Sequence, residues 1–430
     1  MIGVVADDIT GANDIGIMYA KAGLRTHVYS YSPELVDQLP AEKEADVIVL
    51  DTDSRFDDAA VAYDKVFAAT RALEQLGCTQ FVNKTCSVFR GNIGAEFDAM
   101  LDALHESFAL VTLGFPKNGR TTVDGIHYVR GIPLSESEFS HDPVHPMKHS
   151  DVVGILQGQT SRKVSRIGWE MVDEGVDKLR AFIDQLCEEN IVQFVIVDVR
   201  DQADLAVIAA AASHLKVWCG SSALAEESAR LQPKRDEEYK SGLSEHDQHL
   251  GILVTAGSLM PQTSEQLDYL RGEGVVVKEM ESSRLLLGSE RLAYLQSFTT
   301  EVSTAIMNGI DVAVHSSNMP SQVQEMKKSS AALGMSNTEV SRLVSDSLAE
   351  IAAGVLERTG LQRVLVAGGD TSAAFCRRMN VIGMRVWKEI QPGLPSCITL
   401  TDPPFLLVLK SGSFGDESFM AEAIRHLRKE

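Results

Sequence analysis

Short apolar runs that stop abruptly at Asp, Gly or Ser recur along the first half of the chain, at residues 2–6, 47–50, 81–82, 110–113 and 194–197. Between them lie stretches of helix-forming residues with apolar positions three and four apart, at 14–22 and 59–76. Short buried strands alternating with amphipathic helices predict right-handed βαβ units around a mainly parallel sheet flanked by helices. In such sheets ligands gather beyond the C-terminal strand ends. Asp7-Asp8, Asp51-Thr52-Asp53 and Gly114-Phe115-Pro116 all fall at such ends and are expected to face one region.

The pattern breaks at residues 232–248, which are polar, charged and poor in apolar side chains. It then resumes with a strand at 250–255, a helix opening at Pro261, and strands at 312–314, 364–366 and 406–409. A two-lobed α/β protein is predicted, with lobes at residues 1–235 and 249–430 and a linker between them. Residues 336–358 read as an amphipathic packing helix, with Ser336 as N-cap and Glu339 completing a capping box.

The length supports this division, because 430 residues exceed what one hydrophobic core usually serves. With 44% hydrophobic and 23% charged residues, the chain is globular rather than disordered. A formal charge of −20, with no local Lys/Arg cluster to offset it, argues against a nucleic-acid partner. An anionic small molecule would therefore need cations placed individually. Six scattered cysteines form no C-x-x-C pair, which speaks against a zinc site or disulfide framework and suits a cytoplasmic protein. The opening run meets two aspartates within seven residues, so it reads as a buried strand rather than a signal or membrane segment.

In the first half, four segments can carry chemistry. Asp7-Asp8-Ile9-Thr10-Gly11-Ala12-Asn13-Asp14 sets carboxylates, a hydroxyl and a glycine between a strand and a helix. One aspartate can take a proton from a substrate hydroxyl while the other caps the helix, and spacing does not assign the roles. The run from Asn83 to Glu96 supplies Lys84 and Arg90 beside Ser87, and Arg90 can hold a carboxylate through two bonds or serve as a surface ion pair. Gly119-Arg120-Thr121-Thr122 leads into a hairpin with His127-Tyr128 and adds another cation among hydroxyls. Ser140-His141-Asp142-Pro143-Val144-His145 is rich in metal-ligand types, but its prolines keep the chain extended and disfavour convergence on a metal.

In the second half, Ala256-Gly257-Ser258 before Pro261 suits either a plain capped turn or a phosphate contact. Ala367-Gly368-Gly369-Asp370-Thr371-Ser372 ends a buried strand in two glycines, an acid and two hydroxyls, as a phosphate cradle would. Asp370 is the residue placed to reach Mg²⁺ or its waters. Lys410-Ser411-Gly412-Ser413-Phe414-Gly415 closes the series. No Walker Gly-Lys-Ser/Thr follows any of these glycines.

These motifs, in this order and spacing across nearly the whole chain, resemble the four-carbon acid sugar kinases, which phosphorylate tetronates and related sugar acids with ATP. The resemblance rests on the Asp7–Asp14 segment, on 90–96, on Gly119-Arg120-Thr121-Thr122 with His127-Tyr128, and on the three glycine turns near Ser258, Gly369 and Gly412. It implies a sugar-acid-binding N-terminal lobe, a nucleotide-binding C-terminal lobe and a reaction in the cleft between them. Asp8 and Asp7 would be the candidate bases, and Arg90 the catalytic anion holder. Thr10, Asn13, Lys84, Ser87, Arg120 and Thr121 would line the sugar-acid site. Ser258, Ala367, Gly368, Gly369, Asp370, Thr371, Gly412 and Ser413 would surround ATP with Mg²⁺. A homodimer is the expectation on general grounds, because soluble oligomers are mostly symmetric homo-oligomers.

The chain departs from the family pattern twice. Where members commonly read Lys-Thr-Asp-Ser-Thr-Leu-Arg-Gly, it reads Lys84-Thr85-Cys86-Ser87-Val88-Phe89-Arg90-Gly91, and Asp370 stands where Glu is frequent. The first change raises, as alternatives, a different polyol or a longer sugar acid as acceptor. A non-catalytic two-lobed sensor is the reading from another class.

Overall fold

The computed structural model describes residues 1–32, 45–142, 144–232, 243 and 249–430. The linker expected at 232–248 therefore lies, apart from its first residue and Leu243, outside the described residues. The chain divides into two compact units, Met1–Glu237 and Glu238–Glu430.

In the first unit, β1 (Ile2–Ala6) pairs in parallel with β3 (Val47–Asp51) and β4 (Gln80–Lys84). Beyond β3 lies β2 (Thr26–Ser30). On the other side follow β11 (Val217–Gly220), β5 (Ala109–Thr112), β10 (Phe194–Val197) and β9 (Val164–Ile167). All these pairings are parallel, and every residue of β1 and β3 is buried. A strand covered on both faces gains from an unbroken apolar run, which is why β1 reads Ile-Gly-Val-Val-Ala rather than alternating. A small antiparallel sheet joins β6 (Arg120–Val123), β7 (Ile126–Val129) and β8 (Ile132–Pro133), the first two forming the expected hairpin.

Register carries the functional consequence. Ala6 lies opposite Asp51 on one side and Lys84 on the other, Lys84 opposite Gly220, and Gly220 opposite Thr112. The segments that follow these residues leave the sheet along one edge, so Asp7-Asp8 emerges between the acidic end of β3 and Lys84.

The first helix differs from expectation, because it runs Ile9–Ala20 rather than 14–22. Asp8 is its N-cap, so Thr10, Gly11, Asn13 and Asp14 are helical rather than parts of a turn. A side-chain cap satisfies backbone N–H groups that the first turn leaves without partners, which lets the helix start immediately after the strand.

The second unit orders its strands β13 (Val276–Met280), β14 (Val312–Ser316), β12 (Leu253–Ala256), β15 (Arg363–Ala367), β18 (Leu406–Lys410), β17 (Leu394–Thr399) and β16 (Gly383–Gln391). The first five are parallel, and the last three form an antiparallel meander, whose β16 and β17, like β13, lie outside the strands expected from the sequence. Ala256, Ala367 and Lys410 lie side by side at the ends of β12, β15 and β18. The long helix Asn337–Thr359 opens on the expected capping box, with Ser336 Oγ accepting the Glu339 N–H at 3.2 Å and Glu339 Oε2 accepting the Ser336 N–H at 2.7 Å.

Candidate functional sites in the two lobes

At the edge of the first sheet, Asp8 caps its helix with Oδ1 accepting the Gly11 N–H at 2.6 Å and Oδ2 accepting the Thr10 hydroxyl at 3.0 Å. A Cβ on Gly11 would lie 2.7 Å from Asp8 Oδ1 and 3.0 Å from Lys84 Nζ, so glycine is what allows the turn to close. Both aspartates converge on Arg55. Its Nη2 and Nε donate to Asp7 Oδ1 and Oδ2 at 2.7 Å each, and its Nη1 donates to Asp8 Oδ2. Only 7% of Arg55 is exposed. Burial opposes its charge, but the two carboxylates outweigh burial and hold the guanidinium more firmly protonated than usual. Burial likewise pushes Asp8 up, and Arg55, Lys84 and the Gly11 N–H together hold it below the usual carboxylate range.

The neighbouring acids are pushed the other way. Burial, reinforced by the Asp53 charge, raises Asp51 well above its ordinary value. Burial and the Asp7 charge raise Glu96, whose Oε1 accepts the Ser54 hydroxyl at 2.9 Å. Asp14 is raised to about 6, mainly by burial, although Lys84 Nζ stands 3.5 Å from its Oδ2 and Ser222 donates to it at 2.7 Å. Carboxyl groups within one site are thereby split into different protonation regimes.

Arg90 stands at the next strand end. Its Nη1 donates to Asp142 Oδ2 at 2.7 Å, its Nε to Cys86 Sγ at 3.4 Å, and its guanidinium lies 5.3 Å from the centre of the Phe139 ring. Arg120 faces the same ring at 6.0 Å. Burial, with Arg130 nearby, lowers Arg120 to about 10. Burial raises the Cys86 thiol, yet Arg90 and Arg55 outweigh burial and the net shift is downward. Asp142 also accepts the Val144 and His145 N–H groups, and among the described residues no group of three or more His, Cys, Asp or Glu is placed to hold a metal ion.

Of the residues expected around a sugar acid, Asp7, Asp8, Thr10, Asn13, Lys84, Ser87 and Arg120 are all buried. Thr121 is half-buried opposite Tyr128 in the hairpin. Val88 and Phe89 are core residues, 0% and 1% exposed, with Phe89 packed edge-on against Phe97. Two of the three changed residues in the 84–91 segment are thus absorbed by packing, and only Cys86 touches the arginine cluster.

In the second lobe the turns after β12, β15 and β18 are packed on one another. The Gly257 N–H donates to Ala367 O at 2.9 Å and the Gly368 N–H to Lys410 O at 2.8 Å. A Cβ on Gly257 would lie 2.0 Å from Thr371 Oγ1, and one on Gly412 would lie 2.1 Å from Ser258 Oγ. Gly368 adopts φ 110°, a left-handed value open to glycine, and starts the helix Gly369–Arg378. The N–H groups of that first turn are donors suited to phosphate oxygens. Thr371 and Ser372 point into the protein, Ser372 Oγ donating to Val366 O at 3.5 Å, while Asp370 Oδ2 accepts the Ser341 hydroxyl at 2.7 Å. Ser258 Oγ accepts the Met260 N–H at 3.2 Å, and Ser413 is 7% exposed.

Sequence reasoning missed Arg55, the residue that ties Asp7 to Asp8. Its signal was present, since a single arginine follows the acidic end of β3 within four residues of Asp51. What pairs with it depends on the lateral order of β3 and β1.

Comparison with known proteins agrees with both halves of this description. A sugar-binding N-terminal domain model matches residues 2–228, and a nucleotide-binding C-terminal domain model matches residues 253–420. The chain is 33% identical to a 3-oxo-tetronate kinase of Burkholderia multivorans and 32% identical to one of Cupriavidus necator, each over 99% of this chain and 97% of the relative. Among solved structures, a chain from Salmonella typhimurium LT2 superposes with a TM-score of 0.79 at 28% identity, covering 99% of each chain. Haemophilus influenzae protein HI1011 gives 0.70 at 26%, covering 99% of this chain and all of that one. No helix among the described residues is long and apolar enough to cross a membrane. Matched along its length by both domain models and by these kinases, the chain belongs to the four-carbon acid sugar kinase family.

Proposed function

We propose that this protein is an ATP-dependent kinase acting on a four-carbon sugar acid of the 3-oxo-tetronate type. The observation that carries the reading is the set of three largely buried guanidinium groups, Arg55, Arg90 and Arg120, the last two facing one Phe139 ring, in a chain with net charge −20. Arg55 is spent on Asp7 and Asp8 and Arg90 gives one nitrogen to Asp142, so Arg90 together with Arg120, facing the same Phe139 ring, carries the positive charge offered to a substrate carboxylate, the group Arg matches best.

In the reaction, a substrate hydroxyl oxygen forms a bond to the γ-phosphorus of ATP as the bond to the ADP oxygen breaks, and the hydroxyl proton leaves to a carboxylate. Asp8 is the candidate acceptor of that proton, with Asp7 next to it. Arg55 fixes both carboxylates, and Asp8 Oδ1, which accepts the Gly11 N–H, has lone-pair room for a second donor. A carboxylate below the usual range is a weak base, which suits a transfer whose barrier is lowered mainly by positioning and charge. Arg90 and Arg120, with Lys84 and Ser87, would hold the acid, and Thr10, Asn13 and Thr121 would border it.

The turns holding Ser258, Ala367, Gly368, Gly369, Thr371, Gly412 and Ser413 would receive the nucleotide, since their glycines bring backbone donors close together. Mg²⁺ fits as an ion carried by the phosphates, with Asp370 as the nearby carboxylate; when bound it would neutralise charge on the transferring group. A cytoplasmic location suits both substrates.

A coupled ADP-release assay over tetronates, pentonates and their oxo forms tests the reading. Turnover should be greatest on a 3-oxo-tetronate. Absence of acid-dependent ADP release across the whole series would sink it.

A further inference from the structure

Lys410 ends β18 and is 0% exposed, yet phosphoryl transfer as described assigns it nothing. Its Nζ donates to Gly412 O at 3.0 Å and to Thr263 Oγ1 at 3.1 Å, and Thr263 Oγ1 donates to the same Gly412 O at 2.9 Å. Thr263 is itself 0% exposed and lies in the first turn of the helix Pro261–Gly272. The carbonyl of Gly412 is thus held inward from two sides.

Peptide planarity converts that grip into a statement about the next residue. In a trans peptide the N–H of residue i+1 points opposite to the C=O of residue i. With Gly412 O pinned inward, the Ser413 N–H is turned away from Lys410 and out of the β18 turn. The same turn is pressed against Ser258, where a Cβ on Gly412 would lie 2.1 Å from its Oγ, so it cannot easily rotate as a unit.

We propose that Lys410 is a positioning residue of the nucleotide site: by holding the Gly412 carbonyl inward together with Thr263, it presents the Ser413 N–H to a phosphate oxygen of ATP. The proposal rests on reading the second lobe as the nucleotide lobe. It acts through the backbone, so Lys410 itself need not touch the ligand. Burial pushes the Lys410 ammonium down to about 7. A cation stripped of water in this way stands to gain from an arriving polyphosphate. A lysine buried here at the expense of its own hydration calls for a function that an apolar residue could not supply.

The test compares Lys410→Met, Thr263→Val and Thr263→Ser with the wild-type chain, by titration with Mg²⁺–ADP and by steady-state kinetics. Thermal melts confirm folding, and Thr263→Val guards against failure of the Lys410 variant to fold. Lys410→Met and Thr263→Val are expected to weaken ADP binding and raise KM for ATP by about tenfold, the size of one displaced hydrogen-bond donor. KM for the sugar acid should stay within about twofold, and Thr263→Ser, which keeps the hydroxyl, should restore ATP affinity. Wild-type binding of ADP together with unchanged ATP affinity in both Lys410→Met and Thr263→Val would overturn the proposal. So would an equal rise in both substrates' KM values, which marks general damage. Failure of the wild-type chain to bind ADP would instead overturn the nucleotide reading, and the proposal with it.

Discussion

Arg55 holds Asp7 through two parallel hydrogen bonds of 2.7 Å, Nη2 to Oδ1 and Nε to Oδ2, with both side chains under a tenth exposed. The same guanidinium reaches Asp8, so one residue from the loop after β3 sets two carboxylates from the loop after β1. Breaking a buried ion pair from one side leaves charge uncompensated, and Arg55 is matched by two acids. Arg55→Ala is therefore expected to lower unfolding free energy by about 3–5 kcal/mol and to abolish turnover. Arg55→Lys, which cannot reproduce the paired geometry, should fold better than the alanine variant yet recover little activity. Urea denaturation followed by the ADP-release assay checks both; wild-type kcat/KM in the lysine variant would remove Arg55 from the machinery.

Arg90 is expected to act on the acceptor rather than on the nucleotide. Its Nε is spent on Cys86 and its Nη1 on Asp142, so Nη2 is the nitrogen placed to meet a substrate carboxylate. Arg90→Ala should raise KM for the sugar acid by at least about a hundredfold, the scale of a lost charge-assisted pair, with KM for ATP little changed. Initial rates measured over both substrates decide this, and an unchanged kcat/KM for the acid would refute the assignment.

Asp14 gives a pH signature with a defined sign. Its folded-state value of about 6 lies above the unfolded value near 3.8, so between these pH values the folded chain binds more protons. Stability contributed by this group is full below about pH 3.8, falls as pH rises and is gone above about pH 6. Asp14→Asn lacks that loss. Its stability relative to wild type should therefore climb between pH 4 and pH 7 by on the order of 2–3 kcal/mol. Urea midpoints at pH 4, 5, 6 and 7 measure the difference, and a flat difference would contradict the burial argument.

Gly412→Ala tests how tightly the turns of the second lobe are packed. The added methyl would stand 2.1 Å from Ser258 Oγ and 3.1 Å from Met260 Cγ, so one turn must move. KM for ATP should rise by more than about tenfold while the first lobe keeps its sugar-acid affinity. Isothermal titration of each substrate alone separates the two effects.

Much of this arrangement was legible in the chain itself. Short uninterrupted apolar runs at 2–6, 364–366 and 406–409, each closed by turn residues, read as strands buried on both faces, and Ser336 with Glu339 announced the helix that follows. The glycines at 257, 368 and 412 marked turns where backbones approach closely, because only they lack the Cβ that would collide. These are local properties, written within a few residues of where they act. The Asp7-Asp8 segment was equally visible, although its first helical turn was mistaken for a loop because capping by Asp8 shifts the start of the helix by five residues.

What the sequence could not determine was partnership across the sheet. Arg55 meets Asp7 and Asp8 because β3 lies beside β1, and Lys84 meets Asp14 because β4 lies on the other side. Lys410 grips Gly412 against Thr263, which lies 147 residues away from it along the chain. Strand order is fixed by the joint burial of many side chains and by the handedness of the crossovers, not by any one segment's pattern. The chain alone therefore named the chemical groups, and the tertiary structure decided which carboxylate each cation holds.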